Sequence, residues 1–417
     1  MHPLVARLLE RLHAEGILYC LLRDGHALER LSGGGELDLL VSPGDRKRLE
    51  ALLPDIGFVR LPGWGYSPHR FWVAYDDGSD TWIKLDLVDR IAYGRPVHAL
   101  ATALGDDCLR NRRREGPAFV PSPEDELVTL LLHALLDKPE ISPEKRDRLR
   151  ALVGSVPDED RLTALLNEYG TPALSWESVA DSIRGDDWSM LERERRAVAV
   201  RLGRRHRVGT LARQIRDRLF RKAGRGLRWI RPRALTIALL APDGAGKSTL
   251  AASVREGFFF PMQSVYMGLY QKNSGASGRF PLPGVDFFVR LLRQWTRYVA
   301  ARFHAAQGCF VIFDRYSYDA LLTPPRKLRW PARFRRWVLA HSCPAPDLVF
   351  VLDAPGEVLH ARKGEHTPAE LERQRQDYLR LRPHLPRSFV IDVSRDLQHV
   401  RREVTDHIWR EYAKQRR

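Results

Sequence analysis

The sequence predicts an α/β protein in three parts: an N-terminal α/β domain over residues 1–120, a helical connector over 121–233, and a C-terminal domain over 234–417. Three observations carry this. Residues 1–120 alternate helical periodicity with period-two runs; from Pro121 only helical periodicity continues, with breaks, to about 233. From Ala234 short continuous apolar runs alternate with helical stretches, the pattern of a parallel sheet covered by helices on both faces.

In chain order, "HPLVARLLERLHAEG" reads as a charged amphipathic helix, "GILYCLL" and "LDLLV" as strands, and "PGDRKRLEALL" as a second helix. "RFWVAY" and "TWIKLDLV" alternate with period two around the turn "DDGSD". Ser122, followed by Asp125 and Glu126, caps the first connector helix. The five apolar runs of the last domain are "LTIALL", "SVYMGLY", "CFVIFD", "DLVFVLD" and "SFVIDV", and "QKNSGASGRFPLPG" is its most linker-like stretch.

A chain of 417 residues exceeds one ordinary core, which agrees with several domains. No run approaches transmembrane length and the N-terminus lacks a secretory pattern, so the expected location is cytoplasmic. Cys20, Cys108, Cys309 and Cys343 lie far apart, and read as buried thiols, not as disulfides or a zinc site. The net charge of +16 is concentrated: Arg193 to Arg233 holds 16 Lys or Arg against Glu194 and Asp217. Ile215, Leu219 and Phe220 share a helical face there, which suits either a solvated interdomain helix or weak contact with an anionic membrane. No nucleic-acid module accompanies the charge, and no nucleic-acid partner is expected.

The segment "LTIALLAPDGAGKSTLAASV" carries the strongest chemical signal. A buried strand that feeds a glycine-rich turn and then a helix leaves backbone N–H groups aimed at one point, and these wrap a phosphate. Asp243, Gly244, Ala245, Gly246, Lys247, Ser248 and Thr249 form that loop, with Lys247 for the outer phosphates of ATP and Ser248 for Mg2+. Ala241 stands where the G-x-x-x-x-G-K-[ST] pattern has its first glycine. "CFVIFDRYSYDALL" then ends a strand at Asp314-Arg315, on the side of the sheet where ligands bind. Asp314 suits magnesium and Arg315 a phosphate; Arg362, Lys363, Arg373 and Arg375 form a cationic stretch beyond the strand ending at Asp353.

These pieces resemble the thymidylate kinase family of P-loop nucleoside monophosphate kinases over residues 234–417. The resemblance implies a P-loop fold, ATP and Mg2+ at Lys247 and Ser248, an acceptor-phosphate grip by Arg315, and a lid from Arg362 through Arg373 to Arg375. "VYMGLYQKN" lacks the Arg-Glu-Pro-Gly type of sequence found there in that family. Tyr266, Tyr270, Phe287 and Phe288 are candidates to stack on a base, though residues of these types more often belong to the core.

In the first domain, strand alternation puts Glu36 and Asp38 on one face, and Asp86 on a neighbouring strand supplies a third metal-binding acid. Residues 14–100 resemble the nucleotidyltransferase fold of polymerase-beta-like and aminoglycoside-modifying enzymes, with Gly25-His26 where that family has Gly-Ser or Gly-Gly. The leading expectation is therefore ATP-dependent phosphoryl transfer to a nucleoside monophosphate or similar small phosphorylated acceptor. The alternatives are nucleotidyl transfer to a sugar, antibiotic or peptide product by the first domain, and a non-catalytic ATP-responsive scaffold.

Overall fold

The computed structural model describes residues 1–22, 33–63, 66–205, 207–226, 234–268, 285–323 and 328–416. His26, Gly25, Tyr270 and the stretch "QKNSGASGRFPLPG" lie outside the described residues. Apart from its last two residues, the chain divides into two compact units, Met1–Gly226 and Leu227–Gln415.

The first unit holds a five-stranded mixed sheet of β1 (Tyr19–Leu21), β2 (Gly35–Val41), β3 (Val59–Arg60), β4 (Arg70–Asp76) and β5 (Thr81–Val88), in the order β1-β2-β5-β4-β3. β2 and β5 run parallel, and the other neighbours are antiparallel. The β4–β5 turn is closed by Asp76, whose carboxylate accepts from the Ser79 backbone N–H at 2.9 Å. α1 (Pro3–Ala14) begins with Pro at its first turn and buries Leu4, Val5, Leu8, Leu9 and Leu12. α2 (Arg46–Ile56) stops at Gly57, whose φ of 108° lies in the left-handed region. These helices pack on Leu37, Leu39, Leu85 and Leu87.

The opposite face of the same sheet is covered by one helix of the expected first domain and by the helices expected to be a connector. α3 (Leu104–Arg110), α4 (Pro123–Asp137), α5 (Pro143–Val153), α6 (Glu159–Tyr169), α7 (Trp176–Arg184) and α8 (Trp188–Arg205) share one core with Cys20, Leu40 and Val88. The reason lies in α4, which is buried along its whole length. A helix apolar on all sides needs cover all round, so it sits at the centre of a layer. Its acids are paired: Arg148 forks onto Glu126 with two bonds of 2.7 Å, and Arg161 reaches Asp125 at 2.5 Å. Ser122 accepts from the Asp125 N–H, as its position at the start of the helix predicts. Two short strand pairs, β6 (Ala92–Tyr93) with β7 (Leu100–Ala101) and β8 (Arg113–Glu115) with β9 (Ala118–Val120), carry too few residues to show a period in sequence. α9 (Arg207–Gly226) ends the unit.

The second unit has a parallel sheet of β10 (Thr236–Leu240), β11 (Met262–Tyr266), β12 (Phe310–Asp314), β13 (Leu348–Asp353) and β14 (Ser388–Asp392), in the order β11-β12-β10-β13-β14. Four coincide with apolar runs read from the sequence; β11 shares only Ser264–Tyr266 with the expected run "SVYMGLY" and starts two residues earlier, at Met262. One face packs Ala238, Leu240, Phe313 and Val351 against Tyr298, Ala301 and Ala305 of α11 (Val285–Ala306) and Tyr378 of α14 (Pro368–Leu381). α10 (Lys247–Gly257) and α15 (Leu397–Lys414) lie against each other, with Phe310 of β12 and Tyr412 of α15 at 5.2 Å between ring centres. α12 (Trp330–His341) and α13 (Gly356–Lys363) complete the unit. Chain order reverses at β10, so a crevice opens beyond its carboxyl end between β12 and β13.

Candidate functional site

The turn after β10 is shaped by two glycines. Gly244 has φ 88° and Gly246 φ 78°, and a Cβ on Gly244 would lie 2.5 Å from the Leu359 carbonyl oxygen. Gly246 is the N-cap of α10 and offers no side-chain cap, so the first N–H groups of that helix keep their positive end for an anion. Ala245 is buried, Thr249 is exposed, and Gly244, Gly246, Lys247, Ser248 and Thr249 all line a cleft of about 920 Å³.

Lys247 is buried, and its Nζ donates to the carbonyl oxygens of Ala241 and Pro242 at 2.9 and 2.8 Å. Burial, helped by the Arg315 charge, pushes its ammonium down to about 8. Ser248 Oγ donates to Asp314 Oδ2 at 2.8 Å, while Asp314 Oδ1 is buried without a hydrogen-bond partner. A carboxylate oxygen left unpaired beside a hydroxyl is a donor set that suits Mg2+. The glycine cradle, the uncapped helix and Lys247 suit a polyphosphate.

Arg315, at φ 67°, is held at both ends of its fork. One arm meets Asp243 in the glycine turn; the other reaches Asp319 Oδ2 at 3.3 Å, in the 3₁₀ turn Ser317–Leu321. Burial would lower the Arg315 guanidinium, but Asp319 and its other neighbours hold it above its ordinary range. Burial pushes the Asp319 carboxyl up, and Arg315 offsets only part of that. Burial also acts to raise Asp243, yet Arg315 and Lys247 hold it below the usual range. The Tyr378 hydroxyl closes the group, donating to Asp319 Oδ1 at 2.9 Å.

From the cationic stretch, Arg362 and Lys363 line the cleft, and Arg362 donates to the Val393 carbonyl at 2.8 Å. Arg373 is exposed and does not line it. Arg375 forks onto Asp353 at 2.5 and 3.1 Å, so it holds α14 to the end of β13. Tyr266 lines the cleft, while Phe287 packs beside α12 and Phe288 is exposed. Asp319, Thr323, Arg336, Asp377 and Tyr378 line it as well, and none carries a motif. Asp243 also comes within 4.8 Å of ligand atoms of Glu365 and His366.

In the first unit, Glu36, Asp38 and Asp86 bring one carboxylate oxygen each within 4.8 Å of one another. Parallel pairing sets Asp38 directly across from Asp86 and Glu36 across from Lys84. Lys84 Nζ lies 2.7 Å from Glu36, and His69 Nδ1 meets both oxygens of Asp86 at 2.9 Å. His69 escapes sequence reasoning, since no spacing ties it to Asp86. Of the basic segment 193–233, α9 exposes Val208, Leu211, Ile215 and Leu219 along one face.

No protein-family model matches the chain, and no curated protein matches it. Among solved structures, thymidylate kinase from Candida albicans aligns with 43% of this chain and 93% of its own, at 19% identity and a TM-score of 0.34. Deoxyadenosine kinase from M. mycoides aligns with 41% of this chain and 97% of its own with dCMP and dCDP bound, and with 41% and 98% with dATP bound. Identities there are 14% and 15%, with TM-scores of 0.29. Scores this low do not by themselves establish a shared fold. Among the described residues no helix is long and apolar enough to cross a membrane.

Proposed function

We propose that the second unit transfers a phosphoryl group from ATP to a nucleoside monophosphate or similar small phosphorylated acceptor. One observation carries the reading: Ser248 bonds Asp314 at the mouth of a glycine-cradled helix start, with the second Asp314 oxygen unpartnered, inside a cleft large enough for two ligands. Gly244, Gly246 and the N–H groups of α10 hold the phosphates, and Lys247 places its ammonium beside them. Ser248 and Asp314 hold Mg2+, which offsets phosphate charge when bound. Arg315 serves the acceptor phosphate by exchanging Asp243 or Asp319 for it, and Arg362 and Lys363 cover the cleft from α13. Arg373 keeps the outer lid role that the family resemblance implies.

The test is mass spectrometry of products after incubating the full chain with ATP, Mg2+ and a panel of nucleotides and phosphorylated sugars. ADP together with a phosphorylated product is expected, and Lys247→Ala should abolish both; equal turnover in that variant refutes the assignment. A protein that binds ATP and turns nothing over is the scaffold instead.

A second reading is supported by the meeting of Glu36, Asp38 and Asp86: a divalent-cation site for nucleotidyl transfer in the first unit, as in the nucleotidyltransferase fold. Pyrophosphate release, lost in Asp38→Asn with Asp86→Asn while ADP formation persists, is its signature. Release unchanged in that variant removes it. The exposed α9 stripe supports weak, salt-sensitive contact of the 193–233 segment with anionic membranes. The proposed boundary near 233 stays, the expected connector helices belong with the first domain whose sheet they cover, and the proposed location is cytoplasmic.

A further inference from the structure

A different surface, in the second unit, leaves two rows of large apolar side chains exposed. α11 turns Gln294, Tyr298, Ala301 and Ala305 inward, a spacing of four, three and four that marks its buried side. Its other side carries Phe288, Leu292, Trp295 and Val299 at the same spacing, and all are exposed, Leu292 at 67%. α12 repeats the pattern with Trp330, Phe334 and Trp337; Trp330 is 73% exposed. Their rings stack in sequence, with centres 5.6 and 6.3 Å apart.

The two helices that carry the stripes are neighbours. Phe287 and Leu291 of α11 pack with Leu339 and Ala340 of α12, and Ser342 Oγ donates to Gln294 Oε1 at 2.9 Å. Phe288, Leu292, Trp295 and Val299 are 44–67% exposed and Trp330, Phe334 and Trp337 51–73%, so each helix shows water a row of large apolar side chains, where single scattered ones are ordinary. Trp295, Val299 and Phe303 also border a shallow open hollow of about 590 Å³.

Charge decides what covers it. Beyond Asp286 in the first turn of α11, neither helix carries an acid in its sequence. The bases are arginines: at 100° per residue Arg293 and Arg302 flank the α11 stripe, and Arg333 and Arg335 are exposed on α12. A second copy seated on this face would set arginine against arginine. An apolar, tryptophan-bearing stripe edged only by cations matches headgroups that are negative and acyl chains beneath them. We propose that the α11–α12 face docks the second unit on an anionic phospholipid membrane, lying in the interface without crossing it.

The experiment is co-sedimentation of the full chain with phosphatidylcholine vesicles, with and without phosphatidylglycerol, alongside light scattering of the protein alone. Wild type should bind the anionic vesicles and lose them as salt rises. Leu292→Gln with Trp295→Gln, Trp330→Gln and Trp337→Gln should weaken binding about tenfold or more, with a melting curve like wild type because all four are exposed. Arg293→Glu with Arg333→Glu leaves the apolar stripe intact and should also weaken binding by about tenfold or more. Either variant binding as tightly as wild type overturns the proposal, since docking then resides elsewhere, the α9 stripe included. Equal binding to neutral vesicles overturns its electrostatic half. A wild-type dimer that dissociates in the four-residue variant overturns it in favour of a second copy.

Discussion

Gly244 and Gly246 have nearly the same backbone conformation and very different surroundings, which makes a paired experiment on the phosphate loop. Placing Ala at either position forces an L-residue into the left-handed region, at about 1–2 kcal/mol. For Gly246 nothing lies within 4 Å of the new Cβ, so the cost ends there. For Gly244 the Cβ would meet the Leu359 carbonyl at 2.5 Å, closer than real contacts allow, so α13 must move. Overpacking of this kind costs about 1–3 kcal/mol more. Because α13 carries Arg362 and Lys363 into the cleft, relief by moving that helix is taken out of ligand binding. Gly244→Ala should therefore bind Mg-ATP roughly 5- to 150-fold more weakly than Gly246→Ala, the same energy read as a ratio of dissociation constants. Calorimetric titration of both full-length variants measures the ratio. Affinities within twofold of each other would refute the claim that the Leu359 contact controls the cleft, and wild-type affinity in both would remove the loop from nucleotide binding.

Lys247 sits folded near 8 against an ordinary 10.5, so the unfolded chain holds the extra proton between those values and folding gains stability as pH rises across that window. A bound polyphosphate favours the charged lysine, so ATP affinity should fall from about pH 8 upward by as much as about tenfold per unit; the same slope in Lys247→Met would assign it to another group. Tyr378→Phe leaves a buried Asp319 oxygen unbonded and should cost about 1.5–3 kcal/mol of stability by denaturant titration. Asp319→Asn leaves Asp243 as the carboxylate partner of Arg315 and should cost about 1.5–3 kcal/mol, and a double variant whose loss equals the sum would show that Asp319 and Tyr378 do not couple. Lys84→Met removes the ammonium that shares Glu36, so Mn2+ affinity of the full chain, read by calorimetry, should tighten by up to about fivefold; weaker binding would make Lys84 a support of the site.

What the sequence shows depends on whether a signal is local. The central strands β10, β12 and β13 are buried almost throughout, so each is an apolar run, and the glycine turn with Lys247 and Ser248 is contiguous. Glu36, Asp38 and Asp86 were legible through alternation alone, because a period of two fixes the face on which an acid falls. The partner of Asp314 was half legible: its place at a strand end was clear, its bond to Ser248 was not. Asp319 and Tyr378 lie 59 residues apart and meet only through the packing of a 3₁₀ turn on α14. Arg315 lines the cleft, and its fork also joins Asp243 to Asp319, a link that no spacing in the sequence announces. The α4 helix gave a clear periodic signal for helix and none for location; its apolar circumference was the available clue that it sits inside a core rather than bridging two.

The parallel register of β2 and β5 has a geometric consequence. Asp38 stands directly across from Asp86 because the backbone ladder puts it there, so the spacing of two like charges is fixed by hydrogen bonds remote from the carboxylates. Core substitutions under Leu37 or Leu85 change what lies behind the strands without changing that spacing. A slip of one residue, by contrast, would carry the acids of one strand to the face occupied by its leucines. The ladder thus works as a ruler: the gap between the carboxylates is set by the backbone, and His69 and Lys84, which bond Asp86 and Glu36, meet acids whose places are fixed before any side chain is chosen.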